Sequence, residues 1–184
     1  MQISAVASAA APMVACLGPG NPFRSLSAEE ARTLEAMCER IIPADQDPGA
    51  AWVGVVTFVD RQLVGSYRRL RRTYKLGLAG VNATSDKMFS KTFASLTAPQ
   101  QDSLLHAMDT GQAKGDCWKE ISAKAFFDLV VAHTKQGFYG DPRHGGNRER
   151  ASWKMLRLPY PPVRGRLPEI TSTDYAGSAD KKRG

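Results

Sequence analysis

Residues 51–78 read AWVGVVTFVDRQLVGSYRRLRRTYKLGL. Along them the apolar side chains Val56, Val59, Leu63, Tyr67, Leu70, Tyr74 and Leu78 recur at steps of three and four. Such steps keep a stripe on one face of an α-helix, whereas a half-buried strand would alternate every second residue. The spacing predicts one long amphipathic helix, bent at Gly65. Its other side carries Arg68, Arg69, Arg71, Arg72 and Lys75. A basic run of this kind is a solvated face, a contact for an acidic partner, or a module that attracts anionic lipid.

The flanking segments carry the same helical grammar. Upstream, LSAEEARTLEAMCERIIP (residues 26–43) places Ser27 as N-cap and Glu30 three positions on, a capping box, before a helix expected over 28–42 and ended by Pro43. Leu34, Cys38 and Ile41 share its apolar face. Downstream of residue 78 comes a loop and a short helix beginning near Ser85. A second capping signal, Thr97 with Pro99 and Gln100, opens a helix that buries Leu104, Leu105 and Met108 and stops at Gly111. The stretch 117–137 then offers Ile121, Ala125, Leu129 and Ala132 on one stripe, with Phe126 and Val130 beside it, so it reads as the central helix. His106 falls on an exposed face and His133 on the edge of the central stripe, as a hydrogen-bonded structural histidine. With no alternating strand pattern, the expected fold is all-α, an irregular bundle of about five or six helices over residues 24–158. Residues 159–184 are Pro-rich and polar and read as an extended wrapping tail.

The chain has 184 residues, 42% of them hydrophobic, enough for one core and one domain. Its net charge of +7 draws attention to anionic partners. The basic residues are dispersed, however, without a zinc-finger spacing or an aromatic-interleaved basic motif, which argues against nucleic acid. Cys16, Cys38 and Cys117 stand singly. The lack of C-x-x-C and C-x-x-C-H removes the usual zinc, iron–sulfur and covalent haem readings. Cys38 and Cys117 are either a disulfide or two buried free thiols, and spacing does not choose. Asp45 and Asp47 are spaced like calcium ligands but lack the closing Glu. Residues 1–23 are rich in small and apolar side chains, resembling an export signal or a flexible leader, and favour a periplasmic location.

Residues 137–155, GFYGDPRHGGNRERASWKM, hold the densest chemistry. His144 and Ser152 lie eight positions apart, but no nucleophile elbow accompanies them, and Asp141 with His144 supplies only two metal ligands. No phosphate-cradling G-x-x-x-x-G-K-[ST] or G-x-G-x-x-G is present. Gly140, Gly145, Gly146 and Pro142 permit sharp turns, and Arg, Tyr and Trp are favoured interface anchors. The segment is therefore either a loop that docks into a partner or one that caps its own bundle, with Asn147 and Asp141 bonding backbone groups.

SAEEARTLEAMCERIIPADQDPGAAWVGVVTFVDRQL, followed at a distance by GFYGDPRHGGNRERASWKMLRLP, resembles the gluconate 2-dehydrogenase subunit 3 family over roughly Ser27 to Pro159. The resemblance implies a small, or gamma, subunit without a redox cofactor of its own. In the family a FAD-containing large subunit performs the oxidation and a multihaem cytochrome c subunit, carrying haem c, passes electrons on. The small subunit is expected to bind and stabilise the flavoprotein and to assist its export, in the periplasm and held at the inner membrane through the complex. A twin-arginine signal is common in such subunits, and paired Arg is missing upstream of the apolar run here. On this reading Tyr139, Asp141, Arg143, His144, Asn147, Arg148 and Trp153 form or brace the partner contact, with no catalytic residue. The alternatives are an independent enzyme using His144 and Asp141 as acid and base, or an anionic-lipid module through Arg68 to Lys75.

Overall fold

The computed structural model describes residues 21–158. The tail reading, and the leader reading for residues 1–20, lie outside them. Among the described residues there are six α-helices and no strand: α1 (Ala28–Ile41), α2 (Val55–Val64), α3 (Arg71–Phe89), α4 (Ala98–Asp109), α5 (Ala123–Tyr139) and α6 (Ala151–Met155). Helix α5 packs against all the others, so the expected central position is correct. The capping boxes form as well. Glu30 Oε2 accepts the Ser27 N–H at 2.7 Å while Ser27 Oγ accepts that of Glu30 at 3.1 Å, and Gln100 Oε1 accepts the Thr97 N–H at 3.0 Å.

The single helix expected over 51–78 is two helices. Gly54 takes a left-handed φ of +80°, so the first begins only at Val55. Gly65 adopts φ −106°, ψ −112°, outside the helical region, and the chain runs through a 3₁₀ turn at Arg68–Leu70 before α3 begins. A straight helix over this span would be roughly 40 Å long and would carry half of its apolar stripe beyond the core. The break lets both halves face α5, with Val56, Val59, Leu63, Tyr74 and Leu78 all buried. Arg71 Nε donates to the Leu63 carbonyl at 2.9 Å and so satisfies one of the acceptors that the broken helix leaves over.

Beyond residue 78 the expected loop is helix, because α3 continues to Phe89. The glycines that look like breakers are there for packing. A Cβ on Gly77 would lie 2.4 Å from the Phe126 ring, and one on Gly80 would lie 2.8 Å from Trp118. Close approach of the rings offsets the helix cost of Gly, about 1 kcal/mol each. Asn82 is engaged too: it accepts the Phe93 N–H at 3.1 Å and donates to Thr33 at 3.1 Å.

The buried face of α5 is rotated from the expected stripe. Ala123, Phe126, Val130, His133, Thr134, Gly137 and Phe138 point inward, while Ala125 and Ala132 are exposed. Two polar residues belong to the core because each finds a partner there. Tyr74 Oη and His133 Nδ1 share a 2.8 Å hydrogen bond, and Thr134 Oγ1 donates to Cys38 Sγ at 3.2 Å. Tyr67 stacks on the His133 ring at 4.2 Å and bonds Gln136 through its hydroxyl. Both cysteines in the described region are free thiols, Cys38 buried and Cys117 partly buried, with Cys117 Sγ 3.9 Å from Thr84 Oγ1. Burial pushes the Cys38 thiol up to about 12, so it stays protonated.

Asp60, on α2, is 3% exposed. Its Oδ1 accepts the N–H groups of Ser25 and Leu26 at 2.8 and 3.0 Å, and its Oδ2 that of Arg24 at 2.9 Å. One carboxylate thus pins the segment leading into α1 against α2. Glu39 does the same for the link after α1, accepting the N–H of Ala44 at 2.9 Å and of Ala51 at 2.8 Å.

Asp60→Asn replaces an acceptor oxygen by a donor facing backbone amides, and it should lower stability by about 2–4 kcal/mol. Hydrogen exchange should show the amides of residues 24–26 losing protection ahead of the core. His133 supplies a second expectation. Burial lowers its pKa from 6.5, so the unfolded chain takes up the proton first. The associated stability is complete above the unfolded value and is lost as pH falls through the lowered folded value. Urea midpoints should drop as pH falls below the ordinary histidine value of 6.5, and His133→Asn should flatten that part of the slope.

Candidate functional site

The loop between α5 and α6 is wound tightly against the backbone it covers. Gly140 caps α5, and Asp141 Oδ1 accepts the Arg143 N–H at 3.0 Å to start a 3₁₀ turn at Pro142–His144. The Arg143 guanidinium closes on Asp141 Oδ2 at 3.0 and 2.7 Å. That pairing, reinforced by the backbone bond, holds the Asp141 carboxyl at about 2. The carboxylate is thus committed to Arg143.

Gly145 turns the chain at φ +107°. Gly146 follows so close to α5 that a Cβ would stand 2.1 Å from the Gly137 carbonyl oxygen, a position no side chain can share. Asn147, Glu149 and Arg150 then adopt left-handed φ of 46°, 56° and 61°. For residues other than glycine this conformation costs about 1–2 kcal/mol each. Internal bonds hold the strain in place: Asn147 Nδ2 donates to the Gly140 carbonyl at 2.9 Å, the Ser152 N–H donates to Asn147 Oδ1 at 3.0 Å, and the Arg148 N–H donates to the Val53 carbonyl at 3.0 Å. Trp153 Nε1 donates to the Tyr139 carbonyl at 2.8 Å.

The seven residues expected at a partner contact separate into two groups. Asn147 and Trp153 face inward, 0% and 9% exposed, and brace the loop. Tyr139, Arg143, His144 and Arg148 are exposed, with Asp141 partly covered beneath Arg143. Ser152 is buried, and its Oγ has no hydrogen-bonding base beside it. Among the described residues no three His, Cys, Asp or Glu side chains converge as metal ligands, and no helix is long and apolar enough to cross a membrane.

Sequence reasoning missed part of this surface. Trp52 is 43% exposed, and the Arg148 guanidinium lies over its ring at 5.7 Å. Met155, Leu156 and Leu158 extend exposed apolar area from α6. Trp52 sits in the turn-rich link after α1, and the signal available was a Trp next to the helix start with no place in the three-and-four stripe. The loop joins it to residues 139–158 because the Arg148 N–H bonds Val53, the residue after Trp52.

Asn147→Ala should cost about 3 kcal/mol, from two buried bonds and a left-handed backbone that Ala tolerates poorly. Gly146→Ala should cost at least as much, because the new methyl meets backbone rather than a movable side chain. Thermal unfolding reads both. Near-ultraviolet circular dichroism of Trp153 should report loosening of the loop before α1 to α4 melt.

No curated protein sequence and no solved structure matches the chain. A family model described as gluconate 2-dehydrogenase subunit 3 matches residues 28–159, from the first residue of α1 to beyond α6. The match takes in the Glu39-held link, the Asp60 anchor and the strained loop, and the chain belongs to the gluconate 2-dehydrogenase subunit 3 family.

Proposed function

We propose that this chain is the non-catalytic small subunit of a FAD-dependent gluconate 2-dehydrogenase-type complex. It binds and stabilises the flavoprotein subunit and assists its export. The oxidation of the sugar acid takes place on FAD in the large subunit, and a multihaem cytochrome c subunit carries the electrons away. The assembly works in the periplasm, held at the inner membrane by its other subunits. Family membership supports a place in a multisubunit dehydrogenase.

The observation that carries the binding role is the exposed Trp52 with the Arg148 guanidinium over its ring, tied to the strained, internally braced loop by the Arg148–Val53 bond, with Tyr139 exposed at the end of α5 and Met155, Leu156 and Leu158 exposed in and just after α6. Trp, Tyr and Arg are the side chains that dominate binding energy at interfaces, and they do so best on a rigid support. Exposed large apolar and aromatic side chains beside charge are a common mark of a protein contact. A stable contact hides about 1,200–2,000 Å² in all. The net charge of +7 also favours rapid encounter with an acidic partner. The acid–base reading of His144 and Asp141 draws no support from the geometry, since Arg143 occupies the carboxylate.

Co-expression and affinity purification test the proposal. Trp52→Ala, Tyr139→Ala and Arg148→Ala should each weaken retention of the flavoprotein by about 30-fold, the effect of a 2 kcal/mol anchor. Lys114→Ala, on an exposed turn elsewhere, should leave it unchanged. Wild-type retention by all three variants, each still folded, would overturn the interface. Turnover of a sugar acid with an artificial acceptor by the small chain alone would overturn the non-catalytic role.

A further inference from the structure

The segment that Asp60 pins forms one wall of a cleft of about 760 Å³, and the start of α3 forms the other. Four cations line it: Arg24 on the pinned segment, and Arg71, Arg72 and Lys75 on α3. Leu63 and Tyr74 give it an apolar side. Glu30 is the acidic residue in the lining, and its carboxylate is occupied by the Ser27 N–H. Glu120 pairs with Arg72 at the surface. Arg68 and Arg69 are exposed on the turn that leads in.

This placement works against the helix that bears it. The positive end of the helix dipole lies at the α3 N-terminus, where acidic side chains stabilise and basic ones destabilise. The first turn of α3 has no acidic residue, its N-cap Leu70 offers no side-chain cap, and Arg71 and Arg72 open the helix. Charge set against its own helix is relieved by an anion from outside. Guanidinium groups bind phosphate oxygens through paired hydrogen bonds, and the four lining cations, set against Glu30 and the Glu120 paired with Arg72, leave a net excess of two positive charges, which suits a phosphate better than a single carboxylate.

We propose that this cleft binds a phosphate group, carried either by the headgroup of an anionic lipid or by a free phosphate ion. It is separate from the partner surface, since no residue of the 140–150 loop lines it. The proposal therefore stands or falls independently of the flavoprotein contact.

The test uses the full chain and two variants of equal charge. Arg24→Gln with Arg72→Gln and Lys75→Gln empties the cleft of three charges and leaves Arg71, which bonds the Leu63 carbonyl, in place. Lys87→Gln with Lys91→Gln and Lys135→Gln removes three exposed lysines that do not line it. Sedimentation with phosphatidylcholine vesicles, with and without phosphatidylglycerol, reads the lipid source, and calorimetric titration with sodium phosphate reads the free ion. Each basic residue at an anionic surface contributes about 1 kcal/mol, so the cleft variant should bind phosphatidylglycerol vesicles about 100-fold more weakly than the unaltered chain. The control variant should lose far less. Phosphate binding that the cleft variant alone abolishes, without vesicle binding, would support the site and assign it to the free ion. Equal losses in the two variants would show bulk charge at work and overturn the proposal. Failure of the unaltered chain to bind either probe would do the same.

Discussion

A single buried carboxylate fixes the relation between the first two helices. Asp60 presents both oxygens to three consecutive backbone amides, those of Arg24, Ser25 and Leu26, and it does so from the middle of α2. Buried charge is costly unless hydrogen bonds replace the lost water, and three amides do that here. The consequence runs outward in both directions. Upstream, the pinned segment sets Ser27 in position to cap α1. Along α2, the next residue, Arg61, lies under the Gly145 turn, so the anchor and the covering loop share one helix.

The loop after α5 shows how strain and close packing can support each other. Gly146 brings backbone against backbone at Gly137, which leaves no room for a side chain, and Asn147 then bonds both to the end of α5 and to the start of α6. Left-handed residues other than glycine persist only where the surroundings over-determine them. Here the inward residues, Asn147 and Trp153, supply that constraint, and the outward ones, Tyr139, His144 and Arg148, inherit a fixed display.

Much of the fold was legible in the sequence wherever local chemistry acts alone. The caps at Ser27 and Thr97 are short-range signals and reappear in the structure as read, and the stripe from Val56 to Leu78 faces inward as expected but on two helices instead of one. The errors share one cause, which is that tertiary partners changed what a residue type means. The loop expected after residue 78 is helix because Trp118 fills the space beside Gly80, and Thr33 and the Phe93 N–H engage Asn82. His133 meets its expectation as a hydrogen-bonded structural residue through Tyr74, whereas Thr134 lay outside the expected stripe and turns inward because Cys38 gives it a partner. Gly65 was visible as a bend, but the full break depended on both stripes turning towards α5. Within the candidate site, the glycines and Asn147 could be recognised as loop-makers. That Trp52 joins the same surface could not, because the contact spans nearly a hundred residues.

The positive-φ run at Asn147, Glu149 and Arg150 has a consequence for the timing of assembly. A segment wound this tightly has surrendered its conformational entropy when the chain folds, so under the proposed role the flavoprotein would meet a finished template instead of a floppy strand. Recognition then resembles a key entering a cut lock, and speed of capture is governed by diffusion and charge more than by rearrangement.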